Sequence, residues 1–361
     1  MDTAPPKDKR VEIAIHNWAP RFVASGVPLS DFEDVTARVT RWDEWCAAWS
    51  ERASIHEHLG RQALADGYNC SAGQHLTRAV QCYHFGKFMF VHKPDEMRRA
   101  HDKVLECHRL SMPHLDPAAE RVAMPYEGKT LYGVLRKPHG ATRAPVVIMC
   151  VGLDSTKDEL GVYEEILLAR GMATLAFDGP GQGEAEYDMG IRGDYEVPVK
   201  AVADYVETRA DLDAARIGIM GVSLGGYYAA RASAFEKRIK ACLSFSGPYS
   251  WVEVFDGRNE LSRDAFRVRS HCATMDEARE NARTLTLEGV AKNITCPIYI
   301  VAGELDRLTP PANAERIAAE VSGPKVLNIV KGGNHVVNNR RYQYQSQAAD
   351  WMAAQLGLPK Q

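Results

Sequence analysis

Apolar residues recur along this chain in two rhythms, and the change falls near Pro113. Ahead of it, Phe32, Val35, Val39, Trp42, Cys46 and Trp49 return at steps of three and four. Such a stripe turns one face of a long helix toward a core. Ser30-Asp31-Phe32-Glu33 has the order of a capping box at its start. Gly60 and Gly67 punctuate the pattern, and further helices are expected over 71–90 and 94–110. Without a strand signal, residues 1–115 predict a small helical bundle.

After Pro113 the period shortens. Residues 130–135 alternate, as an edge-type strand does, and 145–151 form a continuous apolar run of the kind buried on both faces of a sheet. Further strands are expected over 172–177, 216–220, 241–245, 297–301 and 326–330. Helical stretches lie between and after them, over 158–170, 197–209, 224–234, 312–321 and 341–356. Alternation of this kind predicts an α/β domain over 116–361, a mostly parallel, doubly wound sheet with helices on both faces. The stretch 249–291 is too long for a simple connection and reads as an inserted lid.

Composition narrows the function classes. A net charge of -3 over 361 residues leaves no basic surplus for nucleic acid or an anionic membrane. No apolar run reaches the roughly 18 residues a span needs, and Met1-Asp2-Thr3-Ala4-Pro5-Pro6-Lys7 lacks the apolar core of a signal peptide. The eight cysteines form no C-x-x-C pair, which fits buried free thiols in a reducing compartment. A cytoplasmic protein acting on a small molecule is expected.

Candidate chemistry centres on Ser223, in Gly221-Val222-Ser223-Leu224-Gly225 between an apolar run and a helix-like segment. A nucleophilic hydroxyl must stand clear of the backbone, so it sits on a sharp strand-to-helix turn that only small neighbours permit. Serine also needs a base, and the base an orienting acid. Gly303-Glu304-Leu305-Asp306 offers two acids after one strand, of which Asp306 holds the later, turn-forming position; Gly333-Asn334-His335 follows the last strand. The order serine, acid, histidine is that of α/β-hydrolases. One oxyanion donor is expected from the N–H of Leu224, and a second from Leu153 or Asp154 in the loop after 145–151. Asp154 has two readings, a helix cap or a contact to substrate. Asp178 is expected to hold the glycine-rich turn Gly179-Pro180-Gly181-Gln182-Gly183, a poor phosphate cradle because Pro180 lacks an N–H. His56 and His58 are two apart on a helix and point apart, so no metal is expected, and no cofactor. Tyr83, His84, Phe85, Phe88, Phe90, Trp251 and Phe255 read first as core; Tyr83, His84, Phe88 and Trp251 are the candidates for a substrate wall.

With these motifs assembled, the chain resembles the 2,6-dihydroxypseudooxynicotine hydrolase-like family of α/β-hydrolases, which includes polyketide-shortening hydrolases. The resemblance rests on Gly152-Leu153-Asp154-Ser155-Thr156-Lys157-Asp158-Glu159, Arg170-Gly171-Met172-Ala173-Thr174, Phe177-Asp178-Gly179-Pro180-Gly181-Gln182-Gly183-Glu184 and Gly193-Asp194-Tyr195-Glu196. It implies an α/β-hydrolase fold with an N-terminal helical cap, a homodimer, and cleavage of a carbon–carbon bond in a small aromatic or polyketide-like diketone. Where the nicotine-degrading member carries glutamate after Gly-Leu, this chain has Asp154. The same apparatus would serve a carboxylesterase or lactonase, or an acyltransferase. A catalytically silent binding protein on this fold is the reading from another class, which the intact Ser223, Asp306 and His335 set disfavours.

Overall fold

The computed structural model describes residues 6–360, so most of the segment 1–7 read for a signal peptide, and residue 361, lie outside the described residues. It divides into two compact units, one running to Ala119 and including Glu260–Ala265, the other formed by Glu120–Asn259 and Phe266 onward.

The first unit is built from α1 (Lys9–Ala24), α2 (Leu29–Arg38), α3 (Trp45–Ala65), α4 (Asn69–Lys87) and α5 (Pro94–Ser111). The stripe read from the sequence is real, but the single long helix is not. Its chain is extended at Val39, and a 3-10 turn over Trp42–Glu44 precedes α3. The Glu44 carboxylate takes the N–H groups of Thr40 and Arg41 and so stabilises the break. Pro28 occupies the N-cap of α2 and gives no side-chain cap, so the box expected at Ser30 is absent. Aromatic packing fills the interior: Phe22 stacks on Phe85 at 3.9 Å, and Phe32, Trp45, Trp49 and Phe88 surround the pair. Gly60 lets α3 approach α4, because a Cβ there would lie 2.7 Å from Leu76 Cγ.

The second unit is a sheet of eight strands among the described residues: β1 (Ala119–Tyr126), β2 (Lys129–Arg136), β3 (Ala144–Cys150), β4 (Ala173–Asp178), β5 (Leu212–Val222), β6 (Ile239–Phe245), β7 (Ile298–Gly303) and β8 (Lys325–Val330). Their order is β1-β2-β4-β3-β5-β6-β7-β8. β2 is antiparallel to β4, and every pairing from β4 through β8 is parallel. β3 and β4 are buried along their whole length, as their apolar runs require. On one face α6 (Gly161–Leu168) and α13 (Gln345–Gln355) pack on Val147, Met149, Met220 and Leu243. α7 (Glu196–Glu207) and α8 (Leu224–Phe235) pack together and against β5. The segment between β6 and β7 carries α9 (Trp251–Phe255), α10 (Glu260–Arg269) and α11 (Met275–Thr284), and α12 (Ala312–Glu320) joins β7 to β8. No described helix is long and apolar enough to cross a membrane.

This topology decides where chemistry can sit. The chain leaves β3 toward β4 on one side and returns to β5 on the other, so the strand order reverses there. At such a switch point the carboxyl ends of parallel strands open a crevice. The loops after β3, β5, β7 and β8 all emerge at that edge.

Candidate active site

Ser223 follows β5 directly and precedes α8, with φ 56° and ψ −124°. The left-handed region is unfavourable for a residue with a side chain, and the surroundings over-determine it. Ser223 N–H donates to Phe245 O at 2.8 Å, and Ser223 O accepts from Gly226 N–H at 2.8 Å. The glycines are required by contact. A Cβ on Gly221 would lie 1.9 Å from Gly225 O, and one on Gly225 would lie 2.4 Å from Cys150 O. Leu224 is the first residue of α8, where the N–H has no partner inside the helix.

His335 comes to Ser223 across 112 residues of chain and to Asp306 across 29. His335 Nε2 is 2.8 Å from Ser223 Oγ, and its Nδ1 is 2.8 and 3.0 Å from the two Asp306 oxygens. Asp306 is buried, and Oδ1 also accepts from the N–H groups of Leu308 and Thr309, each at 2.9 Å. Burial pushes the Asp306 carboxyl up, but His335 and the amide donors outweigh it, and the pKa is held below 3.8. Of the two acids left open by the sequence, Glu304 is spent elsewhere: Oε2 accepts Gly332 N–H and braces the loop that carries His335. Val336 and Val337 follow with φ 57° and 53°, a left-handed pair of β-branched residues that stores strain beside the histidine.

The loop after β3 runs beside Ser223. A Cβ on Gly152 would lie 3.3 Å from Ser223 Cβ. Gln182 Nε2 donates to Val151 O at 2.7 Å and to Gly152 O at 2.8 Å, and Arg269 donates to Leu153 O. In a trans peptide the C=O and N–H point opposite ways. With the Gly152 and Leu153 carbonyls tied to Gln182 and Arg269, the N–H groups of Leu153 and Asp154 face away from those two side chains. Gln182 is held in turn by Tyr195 Oη at 2.8 Å, and Tyr195 stacks on Tyr228 at 3.6 Å. Arg269 also pairs with Glu186.

Asp178 does hold the glycine-rich turn. Its oxygens accept Lys157 N–H at 2.8 Å, Lys157 Nζ at 2.9 Å and Glu184 N–H at 3.0 Å. Lys157 is fully buried with Asp158, Asp178 and Glu184 around it. Burial disfavours its charge, yet the three carboxylates outweigh that and raise its pKa above the usual lysine value. Lys157 N–H goes to Asp178, and Thr156, at the N-cap of the 3-10 turn that begins there, gives no side-chain cap. Asp154 is buried in the loop itself.

The aromatic candidates separate. Tyr83 donates to Glu57 at 2.8 Å, His84 lies against Phe85, and Phe88 belongs to the aromatic interior around Phe22. These three contacts lie within the helical unit, where packing a large ring needs several partners. Trp251 lies in the unit that holds Ser223, Asp306 and His335, buried beside Phe266 and beneath the Arg258 guanidinium. His56 pairs with Asp31 while His58 is exposed, so the two rings do diverge. Asp31, His56 and Cys82 could approach one ion, but Asp31 is already paired with Arg52, and burial raises the Cys82 thiol above its usual pKa. Sequence reasoning assigned no role to Gln182, Tyr195, Arg269 or Arg258. Gln182 and Tyr195 stood inside recognised motifs, while the two arginines carried no local signal.

Residues 30–356 match the family described as Esterase FrsA-like. The chain is 33% identical over 340 residues to 2,6-dihydropseudooxynicotine hydrolase of Paenarthrobacter nicotinovorans, covering 93% of this chain and 90% of that one. It is 33% identical over 232 residues to 20-hydroxy-prefusarin hydrolase FUS2 of Gibberella moniliformis, covering 60% and 55% of the two chains. The crystal structure of 2,6-dihydroxy-pseudo-oxynicotine hydrolase superposes with a TM-score of 0.87 at 32% identity, over 94% of this chain and 96% of the other.

Proposed function

The chain belongs to the FrsA-like esterase family of α/β-hydrolases, and from that premise we propose that it hydrolyses a carbon–carbon bond in a small aromatic or polyketide-like diketone through an acyl-serine. The observation that carries the proposal is the unbroken hydrogen-bonded line from Asp306 through His335 to Ser223. His335 Nε2 takes the Ser223 proton as Oγ bonds to a ketone carbon, and the carbonyl electron pair moves onto oxygen. Leu224 N–H and the Leu153/Asp154 amides supply the donors for that oxyanion. Asp306 holds the imidazole in the right tautomer and balances the imidazolium. The oxyanion collapses and expels the adjacent carbon with the bonding pair, delocalised into the second carbonyl as an enolate. His335 returns the proton to that carbon. Water then attacks the acyl-serine, giving a proton to His335, which passes it to Ser223 Oγ as the carboxylic acid leaves. The sum is diketone plus water to acid plus ketone.

The family description favours a second reading, an esterase or lactonase, in which an alkoxide leaves in place of the enolate. A panel of aromatic 1,3- and 1,5-diketones beside p-nitrophenyl acetate separates them. Diketone cleavage to acid and ketone, lost in Ser223→Ala, is the expected result. Ester turnover with every diketone intact moves the assignment to the esterase. Family resemblance also supports a homodimer, which a monomeric mass in light scattering would contradict. The eight free cysteines suit a reducing, cytoplasmic setting.

A further inference from the structure

Arg258 is buried at 5% exposure, and no carboxylate lies within ion-pair distance of it among the described residues. Its guanidinium lies 4.0 Å over the Trp251 ring, and its one side-chain hydrogen bond, to Thr309 Oγ1, is long at 3.5 Å. Arg258 Nε and Trp251 Nε1 are both buried without an acceptor. A buried donor left unpaired costs about 1–3 kcal/mol, and more when it is charged, so two adjacent ones mark a place where something else accepts. Burial drags the Arg258 pKa down to about 10, with Asp306 and Asp154 pulling it back up, so it remains a cation at neutral pH. The same two acids locate it. Asp306 orients the catalytic base, Asp154 lies in the loop beside the nucleophile, and Thr309, which touches Arg258, donates its N–H to Asp306.

We infer that Arg258, with the Trp251 indole N–H beside it, is the anion-recognition group of this site and receives the enolate oxygen formed as the carbon–carbon bond breaks. The inference rests on the carbon–carbon reading above. A fixed cation in a water-poor pocket stabilises charge that develops there far more than charge in solvent. An ester substrate makes less use of it, because no enolate forms. The ligand class is thus an aromatic or apolar ketone whose leaving fragment carries a delocalised oxyanion, or a carboxylate that mimics it.

The test compares Arg258→Gln and Arg258→Lys with the wild type on 1-phenyl-1,3-butanedione and p-nitrophenyl acetate, with fluorophosphonate labelling of Ser223 as the measure of an intact triad. Removing one oxyanion donor costs roughly 10²–10³ in kcat. Arg258→Gln is therefore expected to lower diketone kcat about 100-fold, with a smaller change in KM, and ester turnover by only about threefold. Arg258→Lys, which keeps the charge, should recover part of the loss. Equal losses on both substrates, or loss of labelling in both variants, would make Arg258 structural and overturn the inference, as would undiminished diketone cleavage in Arg258→Gln. If the wild type cleaves no diketone, the carbon–carbon reading falls separately, and inhibition of ester turnover decides the anion site. Benzoate should then weaken at least tenfold in Arg258→Gln while benzamide is unmoved; equal weakening, or none, overturns the inference.

Discussion

Ser223 holds its hydroxyl out because its own backbone is bent into a region that the residues around it alone make tenable, and that arrangement can be broken one atom at a time. A methyl group at Gly225 would meet the Cys150 carbonyl at 2.4 Å, a backbone atom that cannot swing away. Gly225→Ala should cost about 1–3 kcal/mol by overpacking and lower fluorophosphonate labelling of Ser223 at least tenfold. Asp306 makes a different prediction. Asp306→Asn is expected to lower kcat about 10³–10⁴-fold, because the amide favours the wrong imidazole tautomer. Its carboxyl has a lower pKa folded than unfolded, so it stabilises the fold above the unfolded value, and that is lost as pH falls through the folded one. The gap in Tm between wild type and Asp306→Asn should therefore not narrow from about pH 8 to 5, and should close only below about pH 4. A gap that closes near neutrality would contradict the assignment of the acid.

At the scale of elements, legibility followed how local each signal was. β3 through β7 could be read because strands in the middle of a parallel sheet are apolar on both faces, and the elbow because its glycines stand beside the serine they serve. β1 escaped notice since only Val122, Met124 and Tyr126 turn inward, and Pro125 argues against a strand. α1 buries Val11, Ala14, Trp18 and Phe22 at helical spacing, but Pro20 inside it reads as a stop. The supports of the loop after β3 were illegible for another reason. Gln182 and Arg269 reach their carbonyls across 30 to 116 residues, and no window of sequence contains both ends of such a bond. Lys157 belongs with them, since it knits the loop after β3 to the turn after β4. Lys157→Met would take the buried ammonium away from Asp158, Asp178 and Glu184, and breaking a buried pair of this kind costs about 3–5 kcal/mol. Thermal unfolding should show a clear fall in Tm; an unchanged Tm would mean that the cluster is neutral without its cation.

For the molecule as a whole, the sheet's reversal of direction beside β3 is what gives a chain of ordinary composition a reaction centre. Residues 152, 223, 306 and 335 are scattered over half the sequence, yet each follows a strand that ends on the same edge. Their order along the chain pointed to Ser223, Asp306 and His335 as a proposed triad, but order carries nothing about the bond to be broken. The distinction is proposed to lie in Arg258, a buried cation without a carboxylate partner, which an enolate would use and an ester would little need. The most direct test of the central claim is the mass of the protein, intact and as peptides, after rapid acid quench during turnover of 1-phenyl-1,3-butanedione. The expected result is an adduct equal to the acyl half of the substrate on the peptide containing Ser223, absent in Ser223→Ala, together with the released ketone. Cleavage that proceeds in Ser223→Ala, or an intact diketone alongside brisk ester turnover by the wild type, would contradict it.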